Sequence, residues 1–217
     1  MGCLGLFVLL LILLPILLLF LFFEVVTFSF SKLGLSSEAA VMLLLLCLVG
    51  SVINIPLTRR RIVFQEPRRF PFPFSFFFRT PPRVREQTIA INLGGAIIPI
   101  GFSLYLLLTK APLVQTGIAT AVVAVVTKFI ARPRPGIGIV MPLWIPPLLS
   151  VGLAFLLAPQ NGAPVAYISG AMGTLIGADL LNFPSFRKLG GRMLSIGGAG
   201  VFDGIFLVGI GAALLAA

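Results

Sequence analysis

Apolar residues fill this chain in long blocks, separated by short clusters of arginine, proline and glycine. About 20 consecutive apolar residues are needed for a helix to cross a bilayer. Seven windows reach that length: near 4–30, 39–57, 89–108, 112–131, 137–158, 164–182 and 196–217. The pattern predicts an all-α, polytopic membrane protein with about seven transmembrane helices, several of them broken or kinked by proline and glycine. The first window runs too long, and lacks the basic start, for a cleaved signal peptide. Met1-Gly2-Cys3 does not complete a myristoylation pattern, because Leu6 stands where Ser or Thr is needed.

Composition agrees: 59% of the 217 residues are hydrophobic and 10% charged, a membrane profile and not that of a soluble core. The net charge of +10 is informative through its distribution. Arg59, Arg60, Arg61, Arg68, Arg69, Arg79, Arg83 and Arg85 fall between windows two and three. Lys128, Arg132 and Arg134 follow window four, and Arg187, Lys188 and Arg192 follow window six. The alternate connections hold only Lys32 and Lys110. Basic loops stay in the cytoplasm, so the expected topology is multi-pass in the plasma membrane, N-terminus cytoplasmic and C-terminus outside. A basic surface also suits nucleic acid, but topology accounts for this charge and no nucleic-acid partner is expected. With no histidine and two isolated cysteines, His-ligated haem or zinc, Cys-rich metal sites, His-based serine hydrolysis and disulfide frameworks are excluded. Neither a cofactor nor a metal centre is expected.

The long connection 58–88 contains Arg68-Arg-Phe-Pro-Phe-Pro-Phe74-Ser-Phe-Phe-Phe78, in which alternating Phe and Pro favour an extended chain. Aromatic rings flanked by arginine suit the cytoplasmic lipid interface, with guanidinium groups on anionic headgroups. A docking surface for a partner subunit, in a homo-oligomer or a larger membrane complex, is the competing reading.

Two motifs recur. Gly50-Ser-Val-Ile-Asn54-Ile-Pro56-Leu-Thr-Arg59 matches Gly177-Ala-Asp-Leu-Leu-Asn182-Phe-Pro184-Ser-Phe-Arg187 in its Gly, apolar stretch, Asn-x-Pro and basic end. Asn92-Leu-Gly94-Gly-Ala96 is echoed by Ser195-Ile-Gly197-Gly-Ala199. The matched segments run in the same direction, giving a single membrane domain over 1–217 with parallel repeats 4–108 and 137–217 and a linker helix 112–131. Such repeats occur in transporters, with the substrate site between them.

Ile53-Asn-Ile-Pro56, Asn92-x-Gly-Gly95, Ala131-Arg-Pro-Arg-Pro-Gly136, Gly173-Thr-Leu-Ile-Gly-Ala-Asp-Leu-Leu-Asn182 and Ile196-Gly-Gly-Ala-Gly-Val-Phe-Asp-Gly-Ile-Phe206 together resemble a prokaryotic membrane-protein family catalogued only as a domain of unknown function (sixteen-fourteen). That resemblance implies the fold class and no activity. A weaker likeness is to presenilin-type intramembrane aspartyl proteases, through Gly198-x-Gly200 shortly before Asp203. Ala178 stands where that family has tyrosine, and Pro142-Leu143 precedes both acids instead of following them.

The candidate chemistry centres on Asp179 and Asp203. A carboxylate at membrane depth costs roughly 2.5–3.5 kcal/mol on insertion scales, which makes each a functional candidate. As a dyad sharing a proton they would hydrolyse peptide bonds, with Asp179 and Asp203 catalytic. Their depths match if Gly197–Gly200 is non-helical, yet packing of the Gly173/Gly177 stripe on Gly200/Gly204 would turn Asp179 away, toward Asn54 and Asn92. An ion or proton site asks less: carboxylates of Asp179 and Asp203 with amide oxygens of Asn54, Asn92 and Asn182, or a desolvated carboxyl that carries a proton. The leading expectation is therefore a carboxylate-dependent transporter or channel for a small solute or ion, with an intramembrane protease and an accessory subunit as alternatives. The plainer readings are an ion pair between Asp179 and Arg187, Lys188 or Arg192, a structural salt bridge or cap for Asp203, and helix-end capping by Asn54 and Asn182.

Overall fold

The computed structural model describes residues 3–64, 83–134, 138–186, 193–198, 207–208 and 211. Among these the chain is mostly helical. Helix α1 (Cys3–Lys32) is followed by α2 (Ser37–Gly50), whose start is capped by the Ser36 hydroxyl accepting from the Ala39 amide at 3.3 Å. A π-helical turn, Leu93–Ile97, runs into α3 (Ile98–Thr109), and α4 (Leu113–Ile130) comes after a turn at Pro112. Helix α5 (Ile145–Leu157) opens with Pro146 and Pro147 in its first turn, where their missing N–H groups cost no ladder bond. A 3-10 turn, Pro159–Asn161, leads into α6 (Gly162–Thr174), which continues as a π-helical stretch, Leu175–Leu180, before the short α7 (Phe183–Phe186).

The all-α expectation needs correction, because five strands occur among the described residues. Strands β1 (Asn54–Phe64) and β2 (Arg83–Asn92) pair antiparallel, from Asn54 opposite Asn92 to Phe64 opposite Arg83. Strand β5 (Met193–Ile196) adds to β2 in parallel, Thr88 opposite Met193 and Ile91 opposite Ile196, giving the order β1-β2-β5. Strands β3 (Arg132–Arg134) and β4 (Gly138–Val140) form a separate small hairpin. An apolar window does not distinguish a buried strand from a helix, and Ile55, Thr58, Thr88, Ile89 and Ile91 are β-branched residues that favour pairing. Pro56, which has no N–H to donate, lies on the edge strand beside the register shift between Pro56 and Thr58. The Phe/Pro tract itself, 65–82, lies outside the described residues.

Windows two, three and five are accordingly shorter as helices than expected. Among the described residues, the Leu10–Lys32 part of α1 and the whole of α4 are long and apolar enough to cross a membrane. Ser37–Gly50, Leu93–Thr109 and Ile145–Leu157 are apolar but shorter. Window seven lies mostly outside the described residues. Leu10, Leu14, Leu17 and Leu21 on α1, Val114 and Phe129 on α4, and Phe155 and Leu156 on α5 all stand exposed. Apolar faces of this extent suit lipid or another protein and not water.

Helix α6 lies at the centre, with every residue from Ala163 to Ala171 buried. Its small residues admit close neighbours: a Cβ at Gly173 would lie 2.6 Å from the Val123 Cβ, and one at Gly177 would overlap the Ala124 carbonyl. The Gly173/Gly177 face packs against α4; the Gly200/Gly204 stripe falls outside the described residues. At the start of α6, Tyr167 meets Phe102 of α3 edge-on at 5.0 Å and Phe30 of α1 at 6.1 Å, fastening three helices together. At the opposite end, Gly94 rests on the last turn of α2, where an added Cβ would overlap the Cys47 carbonyl oxygen.

These contacts predict opposite signs for glycine substitutions. Gly94→Ala should destabilise by about 3 kcal/mol or more, since backbone would have to move. Gly117→Ala, with open space around its Cβ in mid-α4, should be neutral or stabilise by up to about 1 kcal/mol. Thermal unfolding of both variants in mild detergent checks the contrast.

Candidate functional site at the end of alpha6

Asp179 sits in the π-helical stretch that ends α6 and is 2% exposed. The stretch is closed by the Leu181 amide donating to the Ile176 carbonyl at 2.8 Å, five residues back. The Thr127 hydroxyl of α4 lies 3.2 Å from the Gly173 carbonyl, so α4 contributes a polar group to the ladder just where its register widens. Past the stretch, the Asn182 side-chain amide donates to the Gly177 and Ala178 carbonyls at 3.1 and 3.2 Å and to Lys128 O at 3.5 Å. It satisfies carbonyls that the helix end leaves open, the capping role weighed for it from sequence.

Asp179 Oδ2 accepts a 2.6 Å hydrogen bond from the Gly197 amide. Gly197 follows β5 in a left-handed turn, φ +70°, and a Cβ there would lie 2.6 Å from the Gly95 carbonyl carbon. Glycine is required on both grounds. The requirement that Gly197–Gly200 be non-helical is met at Gly197 and Gly198; Ala199 and Gly200 are outside the described residues.

Next to this contact is a chain of polar side chains along the end of the sheet. The Asn92 amide nitrogen donates to Ser51 O at 2.6 Å and to Asn54 Oδ1 at 3.1 Å, while Asn92 Oδ1 accepts from the Gly95 amide at 2.7 Å and so caps the π turn before α3. The Ser195 hydroxyl donates to the same Asn54 oxygen at 2.5 Å. Asn54 and Asn92 are therefore in contact, and Ser195, two residues before the Gly197 amide, links them to the strand that holds Asp179. Asn182 points instead toward α4.

Asp203, together with Arg187, Lys188 and Arg192, lies outside the described residues, and with it the dyad and the expected ion pairs. Among the described residues Asp179 has no basic partner; the ion pair there is Arg61 with Glu86, 3.5 Å apart and largely exposed. Such a surface pair contributes little. No group of three or more Cys, Asp or Glu that could hold a metal occurs among the described residues.

The family profile described as protein of unknown function (DUF1614) matches residues 48–215. The chain belongs to the DUF1614 family. No curated protein and no solved structure matches it, and the weaker likeness to presenilin-type proteases finds no support in these comparisons. The DUF1614 match takes in β1, β2, β5 and α6, and thus every side chain of the polar cluster. Sequence reasoning passed over Ser195 and the Gly197 amide as partners. The signal was there: aligning Gly94 with Gly197 sets Ser195 opposite Asn92, one polar residue at the matching place in each motif.

Loss of Asn92 should be far costlier than loss of Asn182. Asn92→Ala would strand a buried amide and a carbonyl, for about 3 kcal/mol, whereas Asn182→Ala should remove about 1 kcal/mol of helix-end capping. Denaturation midpoints of the detergent-solubilised variants give both values.

Proposed function

We propose that this DUF1614 protein is a multi-pass plasma-membrane protein that conducts a small solute or ion by means of the Asp179 carboxylate. The carrying observation is that Asp179 is buried with a backbone amide as its hydrogen-bond partner and no described cation beside it. A purely structural acid in such surroundings would be expected to have a neutralising arginine or lysine. One held only by an amide can accept a proton or a cation and give it up again. Irregular backbone at membrane depth persists where it lines a cavity or is packed by protein; the π stretch and the Gly197 turn give the acid such a setting.

Asp203 would be the second acid, and Asn54, Asn92 and Asn182 would supply neutral oxygens. The parallel course of β2 and β5, each running into a Gly-Gly pair, supports two like-oriented repeats. The N-terminus would be cytoplasmic, with the β1–β2 hairpin and its arginines against anionic lipid headgroups. Strand β1 is 11 residues long and, among the described residues, is the edge strand in the order β1-β2-β5, which favours a second reading, an accessory subunit that pairs this edge with a partner in a membrane complex or a second copy. The hydrolase alternative demands that Asp179 and Asp203 share a proton.

Reconstitution into proteoliposomes tests the leading reading. Under an imposed potential or pH difference the wild-type protein should carry protons or sodium, and Asp179→Asn should reduce that flux roughly tenfold or more while leaving the melting temperature nearly unchanged. Equal flux in the two proteins would refute the role of Asp179. Silent wild-type liposomes with a co-purifying partner lost on β1 edge substitutions would favour the subunit, and peptide cleavage abolished by either Asp→Asn change would favour the hydrolase.

A further inference from the structure

Helix α6 has a second polar end. At its N-terminus lies a cavity of about 400 Å³ lined by Lys32, Thr109, Lys110, Gln160, Asn161 and the first residues of the helix, a size in the range of small-ligand sites. Lys32 comes from the last turn of α1 and Lys110 follows α3, so three separate elements converge here. They are also the two basic residues that lie apart from the arginine-rich connections. Among the described residues no Asp or Glu lines the cavity. Among the described residues neither ammonium has an ion-pair partner; that of Lys32 lies 5.1 Å from the Phe28 ring centre.

The arrangement is built and not incidental. The Asn161 side-chain amide donates to the Lys110 carbonyl at 3.0 Å, binding the end of α3 to the start of α6. Diverted in this way, Asn161 makes no side-chain capping bond to the first turn of α6. The Lys110 side chain crosses Gly34, a left-handed residue at φ +81° where a Cβ would overlap the ammonium. Two lysines with no described counter-ion line one cavity, and their like charges are better accommodated when an anion joins them. A tetrahedral oxyanion has oxygens enough for both lysines and the Gln160 side-chain amide.

We propose that this cavity binds a phosphate group, as free inorganic phosphate or as the phosphodiester of a lipid headgroup. The site is separate from Asp179 and does not depend on the flux reading. The full chain in nanodiscs of neutral phosphatidylcholine, titrated with inorganic phosphate by calorimetry, tests the free anion. Native mass spectrometry of protein from discs containing phosphatidylglycerol tests the headgroup. Binding in at least one arm is expected to weaken as salt rises, to fall about tenfold in Lys32→Gln or Lys110→Gln, to vanish in the double Gln variant and to persist in Lys32→Arg/Lys110→Arg. Phosphate uptake in neutral discs identifies a solute site; retention of phosphatidylglycerol alone identifies a headgroup site. Absence of binding in both arms, or binding that the double Gln variant retains at full strength, overturns the proposal, with the Arg pair and the melting temperatures showing that the variants are folded.

Discussion

Close approach of α4 to α6 governs the interior. Gly173 and Gly177 let the α4 backbone come against α6 at Val123 and Ala124, and any larger side chain would hold the helices apart. Within a bilayer the gain from such packing is dispersion and hydrogen bonding, since lipid tails are as apolar as leucine and no water is released between helices. The same proximity brings the Thr127 hydroxyl to the Gly173 carbonyl. The widened ladder begins two residues later, and it sets the direction of Asp179. Packing, helix geometry and the position of the acid are therefore one problem with one solution.

Both ends of α6 are polar, in contrasting ways. At one end a carboxylate is enclosed and held by a backbone amide; at the other, two lysines line a cavity. The helical run from Gly162 to Leu180 spans about 28 Å at the usual rise per residue, close to the hydrocarbon thickness of a bilayer. Its middle is almost entirely buried by α3, α4 and α5, so α6 meets protein along its length. The aromatic contact of Phe30, Phe102 and Tyr167 keeps the lysine-bearing helices in register with it.

The long apolar helices, the family and the acid at 179 could be read from the sequence because each depends on composition or on a local motif. Gly197 could also be read as a break, since consecutive glycines disfavour helix. The sheet could not. Ile89 and Ile91 are as apolar as any helical residue, and their pairing with β1 and β5 depends on chain segments far away in sequence. Asn92 was legible as a polar residue of interest, but its bonds to Ser51 and Gly95 belong to a local fold that spacing alone does not reveal. The lysine cavity was hidden for a different reason: Lys32 and Lys110 were informative as topology markers, and nothing in their separation along the chain indicates that they share a cavity.

The pairing of β5 with β2 also bears on how the protein is made. Strand β2 emerges from the ribosome long before Met193–Ile196 exists, and the Gly197 amide arrives still later. Throughout that interval α6 can already lie against α4, while Asp179 lacks its amide donor. A chain ending before β5 and Gly197 would leave Asp179 without this amide donor and β2 with an unpaired edge. Completion of the sheet is thus a late step in folding, at which β5 and the Gly197 amide close a site that earlier segments have already shaped.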